Sequence, residues 1–274
     1  MKYSGLKEKV AIITGAGNGI GYVIARAFAG EGIQVVIADI NESSGSKAAQ
    51  DINEAVGNAI SIPTDVSDEQ QVQSMVEETI QRLGHIDILV NNAGITVHKK
   101  LIELDREAWD RQIGVQLTGP FLVTKHVARQ MIKTGEGGKI VNITSVAGQM
   151  GREKQAAYCS AKGGLIMLTK VAAMELAKYG INVNSVAPEL VDVPAQRDEA
   201  TLSQAYKDSY LEELPLGRIG LPEDIANVVL YLSSPEAEWI TGQNYIVDGG
   251  LMAGHFSFKG THDYTELYGH DKKN

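Results

Sequence analysis

The sequence has little of what export, membrane insertion or nucleic-acid binding requires. Its 274 residues include a single cysteine, which excludes an intrachain disulfide framework and suits a reducing cytosol. No segment approaches the roughly 18 apolar residues of a membrane-spanning helix, and residues 1–9 do not resemble a secretory signal. Acidic residues outnumber basic ones by 34 to 25, whereas a nucleic-acid-binding surface needs a basic excess. We therefore expect a cytoplasmic protein with no membrane or nucleic-acid partner.

Short apolar runs alternate with longer segments of helical periodicity, which is typical of βαβ units. The predicted strands lie near residues 10–14, 34–39, 59–63, 86–91, 139–144, 182–187 and 244–247, and the helices near 20–31, 43–56, 68–83, 119–134, 157–179 and 223–233. This order predicts an α/β fold of the Rossmann type, with a single doubly wound, parallel, seven-stranded sheet and helices on both faces. We expect one domain over residues 1–250, with 188–215 as a substrate lid, and a C-terminal extension over 251–274 that packs at a subunit interface.

A glycine-rich loop separates the first predicted strand from the first helix, with glycine at positions 15, 17, 19 and 21. Glycine permits a tight turn and close backbone approach, and the exposed helix N-terminus offers N–H donors to a pyrophosphate. The second strand ends in Asp39, whose carboxylate can accept both hydroxyls of an adenosine ribose and repels a 2′-phosphate. No basic residue stands in the loop or directly after Asp39, so the sequence favours NAD over NADP. A purely structural capping role is the alternative for Asp39.

Tyr158 and Lys162 lie one turn apart in a predicted helix, so their side chains share a face. A neighbouring ammonium favours the phenolate, and we expect it to lower the tyrosine pKa from its usual value of about 10. Such a shift suits proton transfer, which works best when the pKa lies near the working pH. Without further motifs, however, a Tyr and a Lys at this spacing are typical of an exposed surface pair.

Further motifs occur in a fixed order along the chain. They are Asp-Val at 65–66, Asn-Asn-Ala-Gly at 91–94, Ser145 within 142–148, Tyr-Cys-Ser-Ala-Lys at 158–162 and Ile-Val-Asp-Gly-Gly at 246–250. Together with the glycine loop, and over nearly the whole chain from Lys9 to Gly250, they make the sequence resemble the short-chain dehydrogenase/reductase family in its single-domain form.

The resemblance implies a role for each motif residue. Tyr158 is expected to act as general base in alcohol oxidation and general acid in carbonyl reduction. Lys162 is expected to hold the nicotinamide ribose, and Ser145 to hydrogen-bond the substrate oxygen. A homotetramer is also implied. The spacing of the histidines gives no indication of a metal site, and a metal bound by His255, His262 and His270 in the tail is the less favoured alternative to a solvated tail. The residues that the motifs assign to the cofactor are Gly15, Asn18, Gly19, Ile20, Gly21, Asp39, Ile40, Asp65, Val66, Asn92, Ala93, Gly94, Tyr158, Lys162, Pro188 and Val191.

Two segments depart from the family pattern. Where the family has an asparagine that holds a water of the proton relay, this chain has Gln116. A glutamine keeps the amide groups and adds one methylene, so we predict that Gln116 still supports the relay; a slowed or specialised enzyme is the alternative. After the sixth strand, the family's Pro-Gly and a following Thr are replaced by Pro188-Glu189 and Val193. Val193 cannot donate a hydroxyl, although the Val191 backbone can still bind the carboxamide.

The carboxylate of Glu189 has two interpretations. It selects a polyhydroxylated or cationic substrate, or it points into solvent, and the sequence slightly favours the second interpretation.

The leading functional hypothesis is an NAD(H)-dependent oxidoreductase that interconverts a secondary alcohol and a ketone, with a polyol, sugar or other small polar metabolite as substrate. A 3-oxoacyl-carrier-protein reductase is the second hypothesis, and a dinucleotide-binding regulator that has lost activity is the third.

Overall fold

The seven strands form one parallel sheet. A computed structural model describes residue 3 and residues 5–193 and 204–254. The strands are β1 (Val10–Thr14), β2 (Gln34–Asp39), β3 (Ala59–Pro63), β4 (Ile88–Asn91), β5 (Gly138–Ile143), β6 (Ile181–Pro188) and β7 (Asn244–Val247). Their order across the sheet is β3-β2-β1-β4-β5-β6-β7. The predicted single parallel seven-stranded sheet is confirmed.

The central strands are apolar on both faces because helices cover both sides of the sheet. All five residues of β1 are buried. Ala11 and Ile13 belong to one hydrophobic cluster and Ile12 belongs to the other, as the two-residue period of a strand requires. The core is therefore two layers of side chains separated by the sheet.

Helices pack on both faces, as predicted. The helices within the described residues are α1 (Gly19–Gly30), α2 (Glu42–Ala55), α3 (Glu69–Leu83), α4 (Arg106–Ile113), α5 (Gly119–Thr134), α6 (Ala156–Leu176), α7 (Gln204–Leu211) and α8 (Pro222–Leu232). Buried side chains of α1, α2 and α8 share one cluster, and those of α3, α5 and α6 share the other. No helix in the described ranges is long and apolar enough to cross a membrane.

Two elements before α5 were not predicted. They are α4 and a π-helical segment, Gly114–Thr118, which runs directly into α5. The sequence signal from α4 is weak, because the helix has only 8 residues and Gln112 is its single buried residue. The Asp105 carboxylate caps the helix by accepting a hydrogen bond from the Ala108 N–H at 2.8 Å. This cap is the sequence signal that could have located the helix.

The predicted lid contains one regular element. Helix α7 occupies residues 204–211 of the segment 188–215, for which no helix or strand was predicted. Residues 194–203 lie outside the described residues, and so do residues 255–274 of the predicted C-terminal extension. The expectations for these two stretches stay predictions.

The chain changes direction across the sheet at β1, which lies between β2 and β4. In open parallel sheets a crevice forms at this point, outside the carboxyl ends of the strands. The glycine loop follows β1, residues 92–94 follow β4, Ser145 lies just beyond β5, and Glu189 directly follows β6. The topology therefore brings the predicted site residues to one edge of the sheet.

Candidate active site

The glycine loop is fixed against the end of β4. Gly15 and Gly19 adopt left-handed conformations with φ of +63° and +61°. A Cβ on Gly21 would lie 2.4 Å from the Gly15 carbonyl oxygen and 2.5 Å from Asn92 Nδ2, so this position has no room for a side chain. Asn92 Nδ2 donates to the carbonyl oxygens of Thr14 at 2.9 Å and Gly15 at 3.0 Å. Close packing, rather than turn geometry, accounts for the glycine at 21.

The N-terminus of α1 suits an anion. Asn18 is its N-cap residue, but the Asn18 side chain makes no capping hydrogen bond, and the first turn contains no acidic residue. The first N–H groups of a helix carry the positive end of its dipole and lack partners within the helix. A phosphate group is the ligand that this arrangement favours.

Asp39 ends β2 and engages the glycine loop directly. Its Oδ2 accepts a hydrogen bond from the Gly17 N–H at 2.8 Å, and its Oδ1 accepts one from the Asn41 N–H at 2.9 Å. The carboxylate thus has a structural role in the loop, although Asn41 rather than Asp39 is the N-cap residue of α2. Each oxygen still has a second lone pair, and neither partner is a cation. Asp39 can therefore hold the glycine loop in place through Gly17 and also accept hydrogen bonds from ribose hydroxyls.

Ser145, Tyr158 and Lys162 meet at the carboxyl end of β5. The Ser145 side chain is buried, accepts a hydrogen bond from the Ala147 N–H at 3.1 Å and hydrogen-bonds the Tyr158 side chain. Tyr158 and Lys162 lie one turn apart on α6, with Lys162 Nζ 5.7 Å from the centroid of the Tyr158 ring. Nζ donates to the Ile143 carbonyl oxygen at 2.8 Å. The three side chains that the sequence analysis named are thus close together.

Burial dominates the electrostatics of this cluster. It raises the pKa of the Tyr158 phenol above its usual value, and the hydrogen bond with Ser145 opposes that shift. The expectation that Lys162 brings the tyrosine pKa down was wrong for this structure, because desolvation outweighs the favourable contacts. Burial also lowers the pKa of Lys162 to about 8.

Gln116 lies in the π-helical segment, with its side chain almost wholly buried. Its Oε1 stands 3.1 Å from the position a Cβ on Gly94 would take, so the amide packs against the loop after β4. Its Nε2 is buried and has no hydrogen-bond partner among the described residues. Single π-helical turns occur frequently at functional sites. The unpaired donor fits a site that takes up a further ligand.

Glu189 does not point into solvent, which corrects the interpretation that the sequence slightly favoured. Only 7% of its side chain is exposed, and Arg152 Nη2 donates to its Oε1 at 2.5 Å. The Tyr210 hydroxyl of α7 donates to the same oxygen, and Arg152 Nη1 also contacts that hydroxyl. The sequence offered no signal for this cluster, because its members come from three distant segments.

A cavity of about 620 Å³ contains most of the predicted residues in its wall. Gly21 and Val191 are not in the wall: Gly21 packs behind the loop, and Val191 forms a β-bridge with Gly220. That bridge uses the Asp192 N–H and the Leu190 carbonyl, not the backbone groups of Val191. The predicted residues that line the cavity are Gly15, Asn18, Gly19, Ile20, Asp39, Ile40, Asp65, Val66, Asn92, Ala93, Gly94, Gln116, Ser145, Tyr158, Lys162 and Pro188.

The cavity wall also contains residues that the motifs did not assign to the site. Thr64 and Ser67 flank the Asp-Val motif, and Thr144 precedes Ser145; their positions at strand ends could have indicated them. Arg111 could not have been found, because it belongs to the unpredicted helix α4. Among the described residues, no group of three or more His, Cys, Asp or Glu side chains could hold a metal ion. The remaining candidate metal ligands, His255, His262 and His270, lie outside the described residues, so this finding does not apply to them.

The comparisons with known proteins agree with this geometry. A profile of the family described as enoyl-(acyl carrier protein) reductase matches residues 15–252. The 3-oxoacyl-(acyl-carrier-protein) reductase FabG of Thermotoga maritima is 40% identical over 247 residues, which are 90% of this chain and 99% of the relative. The chain belongs to the short-chain dehydrogenase/reductase family. It is accordingly an oxidoreductase of a family that uses nicotinamide dinucleotides.

Other members of the family resemble this chain to a similar degree. A sorbitol dehydrogenase of Cereibacter sphaeroides is 39% identical over 253 residues, covering 89% of this chain and 98% of the relative. The crystal structure of a short-chain type dehydrogenase/reductase from Mycobacterium marinum aligns with a TM-score of 0.85 at 34% identity, covering 91% and 97% of the two chains. Because these similar relatives are named for very different substrates, family membership does not set the substrate.

Proposed function

We propose that the protein is an NAD(H)-dependent oxidoreductase that interconverts a secondary alcohol and a ketone, with Tyr158 as the proton-transfer residue. The observation that carries this proposal is the proximity of Tyr158 to the buried side chains of Ser145 and Lys162, in the wall of the cavity that also contains the glycine loop and Asp39. When bound, a nicotinamide dinucleotide supplies the hydride acceptor or donor. The chain supplies orientation, exclusion of water and the proton.

The state of Tyr158 suits it to both directions of the reaction. Because burial raises its pKa, the phenol is protonated at neutral pH and can donate its proton to a carbonyl oxygen. In oxidation the phenolate must accept a proton, and a cation close to its hydroxyl would favour that form. Lys162, with a pKa of about 8, is an ammonium at neutral pH. Ser145 holds the substrate oxygen beside the phenol hydroxyl.

Gln116 is the proposed next member of the proton path. Its buried Nε2 has no partner among the described residues, and its side chain shares the cavity wall with Tyr158 and Lys162. A water or a substrate atom that accepts from Nε2 would satisfy this donor. The longer glutamine side chain therefore takes the place of the family's asparagine.

The cavity wall offers suitable groups to the pyrophosphate and to the adenosine ribose of a nicotinamide dinucleotide. The uncapped N-terminus of α1 and the side-chain-free surface at Gly15 and Gly19 would receive the pyrophosphate. Asp39 would accept the adenosine ribose hydroxyls, and its carboxylate disfavours the 2′-phosphate of NADP. The Val191 backbone remains available to the carboxamide. We accordingly assign NAD as the cofactor.

The proposed substrate is a polyol, sugar or other small polar metabolite. Sorbitol dehydrogenase is among the similar relatives, which favours this class. The second candidate is a 3-oxoacyl-carrier-protein reductase, which the 40% identical Thermotoga relative favours. The uncompensated charge of Asp39 is the observation against it, since biosynthetic reduction usually draws on NADPH.

Absorbance of the reduced nicotinamide separates these candidates. The purified protein is assayed with NAD and with NADP against a panel of hexitols, simple secondary alcohols and 3-oxoacyl thioesters. The proposal predicts turnover with NAD and a hydroxylated substrate. Preferential reduction of the thioesters with NADPH would support the second candidate. Tight NAD binding with no turnover on any substrate would instead indicate a regulator.

We further propose a homotetramer in the cytoplasm. Exposed apolar side chains on the outer faces of α5 and α6 suit subunit contacts: Phe121, Met167, Val171 and Met174 are 47%, 57%, 44% and 83% exposed. The aromatic residues beyond Gly250 would extend this interface. A chain that ends at Gly250 should show a changed elution volume on gel filtration or changed kinetics. An unchanged tetramer with unchanged kinetics would exclude a role for the extension.

A further inference from the structure

A carboxylate–guanidinium–phenol cluster of Glu189, Arg152 and Tyr210 stands beside the proposed catalytic residues and contains none of the groups assigned to the proton path. Glu189 follows Pro188, whose carbonyl oxygen lies 3.5 Å from Ser145 Oγ. The cavity that contains Tyr158 also contains Glu189 in its wall. The Glu189 charge is close enough to raise the pKa of the Tyr158 phenol. Glu189 is therefore the member of the cluster that borders the region where a substrate must lie to reach Ser145 and Tyr158.

The two carboxylate oxygens of Glu189 have unequal surroundings. Oε1 accepts hydrogen bonds from Arg152 Nη2 and from the Tyr210 hydroxyl. Oε2 is equally buried but has no hydrogen-bond partner among the described residues. A buried carboxylate oxygen without a donor is costly, and native structures retain few of them. The arrangement directs two donors to one oxygen and leaves the other free to accept.

The surroundings of Glu189 also restrict its rotation. Arg152 comes from the loop after β5, and its guanidinium lies over the Tyr210 ring at 5.6 Å from the centroid. Tyr210 belongs to α7, which is tied to the segment after β6 a second time by Lys207 and Asp192 at 2.8 Å. Because partners from two elements hold Oε1, the direction of Oε2 is fixed before a ligand arrives.

The charge balance indicates which kind of donor Oε2 takes. Arg152 already neutralises the Glu189 carboxylate. A cationic ligand would therefore gain little attraction from Glu189 and would be repelled by the nearby guanidinium. A hydroxyl group supplies the missing hydrogen bond without adding charge. The Ser145–Tyr158 pair can engage one alcohol oxygen of a substrate. A second hydroxyl on the same molecule would then be available for Glu189.

We propose that Glu189 Oε2 accepts a hydrogen bond from a second substrate hydroxyl and so selects polyhydroxylated substrates over simple alcohols and acyl thioesters. This assignment rests on the proposed function and narrows its substrate class to neutral polyols and their ketones. A 3-oxoacyl thioester has no hydroxyl beside its reacting carbonyl, so it would leave Oε2 unpaired.

The test compares two substrates that differ in one hydroxyl. Oxidation of trans-1,2-cyclohexanediol and of cyclohexanol is followed with NAD for the wild type and for Glu189→Gln. Glutamine keeps the shape but places an amide donor where one acceptor stood. The kcat/KM for the diol should fall by about tenfold or more, as for loss of a hydrogen bond to a charged group. The kcat/KM for cyclohexanol should change by less than about twofold.

Two further variants test whether the loss at Glu189 arises from the hydroxyl contact rather than from removal of any nearby carboxylate or from misfolding. Glu153→Gln removes an exposed carboxylate in the Arg152 loop and should leave the diol preference unchanged. Glu189→Asp keeps the charge but withdraws the carboxylate by one methylene, so this variant replaces Glu189→Gln in the assay if Glu189→Gln does not fold. It should show the same loss confined to the diol. An equal loss on both substrates, or no loss on either, would overturn the assignment.

A binding measurement distinguishes failure of this assignment from failure of the proposed function. If the wild type oxidises no alcohol, the proposed function has failed, and the site is then judged by calorimetric titration of D-sorbitol into the NADH-loaded protein. Glu189 as a hydroxyl acceptor predicts binding that weakens about tenfold or more in Glu189→Gln. Absence of wild-type binding, or equal affinity in the variant, would contradict the assignment.

Discussion

Lys162 Nζ donates a hydrogen bond to the Ile143 carbonyl oxygen at 2.8 Å, and this contact holds the lysine between the end of β5 and the Tyr158 ring. Burial lowers the pKa of the ammonium to about 8, so the protein interior carries a positive charge at neutral pH. Burying an ammonium destabilises a fold unless a carboxylate compensates it. The lysine therefore serves the proposed chemistry at the expense of stability.

Replacing Lys162 by methionine should raise the free energy of unfolding at pH 7 by about 1–2 kcal/mol. This gain is the desolvation cost that the variant avoids, less the contribution of the hydrogen bond to Ile143 that it loses. The folded-state pKa of about 8 lies below the unfolded value. The unfolded state therefore binds more protons between the two pKa values, and the wild type gains stability as the pH rises through that window. The advantage of Lys162→Met should be fully present below pH 8 and shrink above it.

Urea unfolding at a series of pH values between about 7 and 9.5 measures this difference below the range of tyrosine ionisation. Lys170→Met is the control, because Lys170 is exposed on the same helix. It should show no pH-dependent gain. A stability difference for Lys162→Met that is the same at every pH would contradict the buried-ammonium interpretation.

The glycine loop gives a matched pair of substitutions on one helix. An alanine Cβ at Gly21 would collide with Gly15 and Asn92, whereas one at Gly30 meets no atom within 4 Å. Gly21→Ala should destabilise the protein by about 1–3 kcal/mol and weaken NADH binding. Gly30→Ala should be neutral or stabilise it by up to about 1 kcal/mol through helix propensity. Thermal unfolding and fluorescence titration with NADH measure both effects; equal behaviour of the two variants would refute the packing argument.

Asp39 should determine the choice between the two nicotinamide dinucleotides. Asp39→Asn keeps the size and removes the charge, so the ratio of kcat/KM with NAD to kcat/KM with NADP should fall by about tenfold or more. The control is Asp65→Asn, since the Asp65 carboxylate is engaged by Ser67 at 2.6 Å. That variant should leave the ratio unchanged. An unaltered cofactor preference in Asp39→Asn would remove the basis for assigning NAD.

Gln116 should affect the rate of proton transfer. Gln116→Ala removes the amide and should lower kcat by about tenfold or more, with a shifted pH profile of kcat, whereas Gln116→Asn restores the family residue and should retain most of the rate. The pH profile separates a relay role from a structural one, which would lower stability without moving the profile. If both variants match the wild type, the side chain has no part in catalysis.

Features set by short stretches of sequence were predictable. The seven strands follow from continuous apolar runs, and the loop at residues 14–21 follows from glycine spacing between a strand and a helix. Ser145, Tyr158 and Lys162 could be named because their order and spacing are specific. The N-cap of α3 is a local feature of the same kind: the Asp68 side chain accepts from the N–H groups of Gln70 and Gln71.

Features set by burial and by contacts between distant segments were not predictable. The direction of the Tyr158 pKa shift depends on how deeply the fold encloses the phenol, which no spacing reveals. The environment of Glu189 depends on Arg152 and Tyr210, which lie 37 and 21 residues away in the chain. Helix α4 escaped notice because it has only 8 residues and buries a single one of them, Gln112. Local patterns therefore located the proposed catalytic residues but not the electrostatics around them.

The most direct test of the account is the activity of Tyr158→Phe, which removes the phenol hydroxyl and keeps the ring. With NAD and the best polyol substrate, kcat should fall by about 100-fold to 10,000-fold, while the affinity for NADH stays within about tenfold of the wild type. That result would place proton transfer at the Tyr158 hydroxyl. A folded Tyr158→Phe protein that binds NADH and turns over within about threefold of the wild-type rate would contradict it.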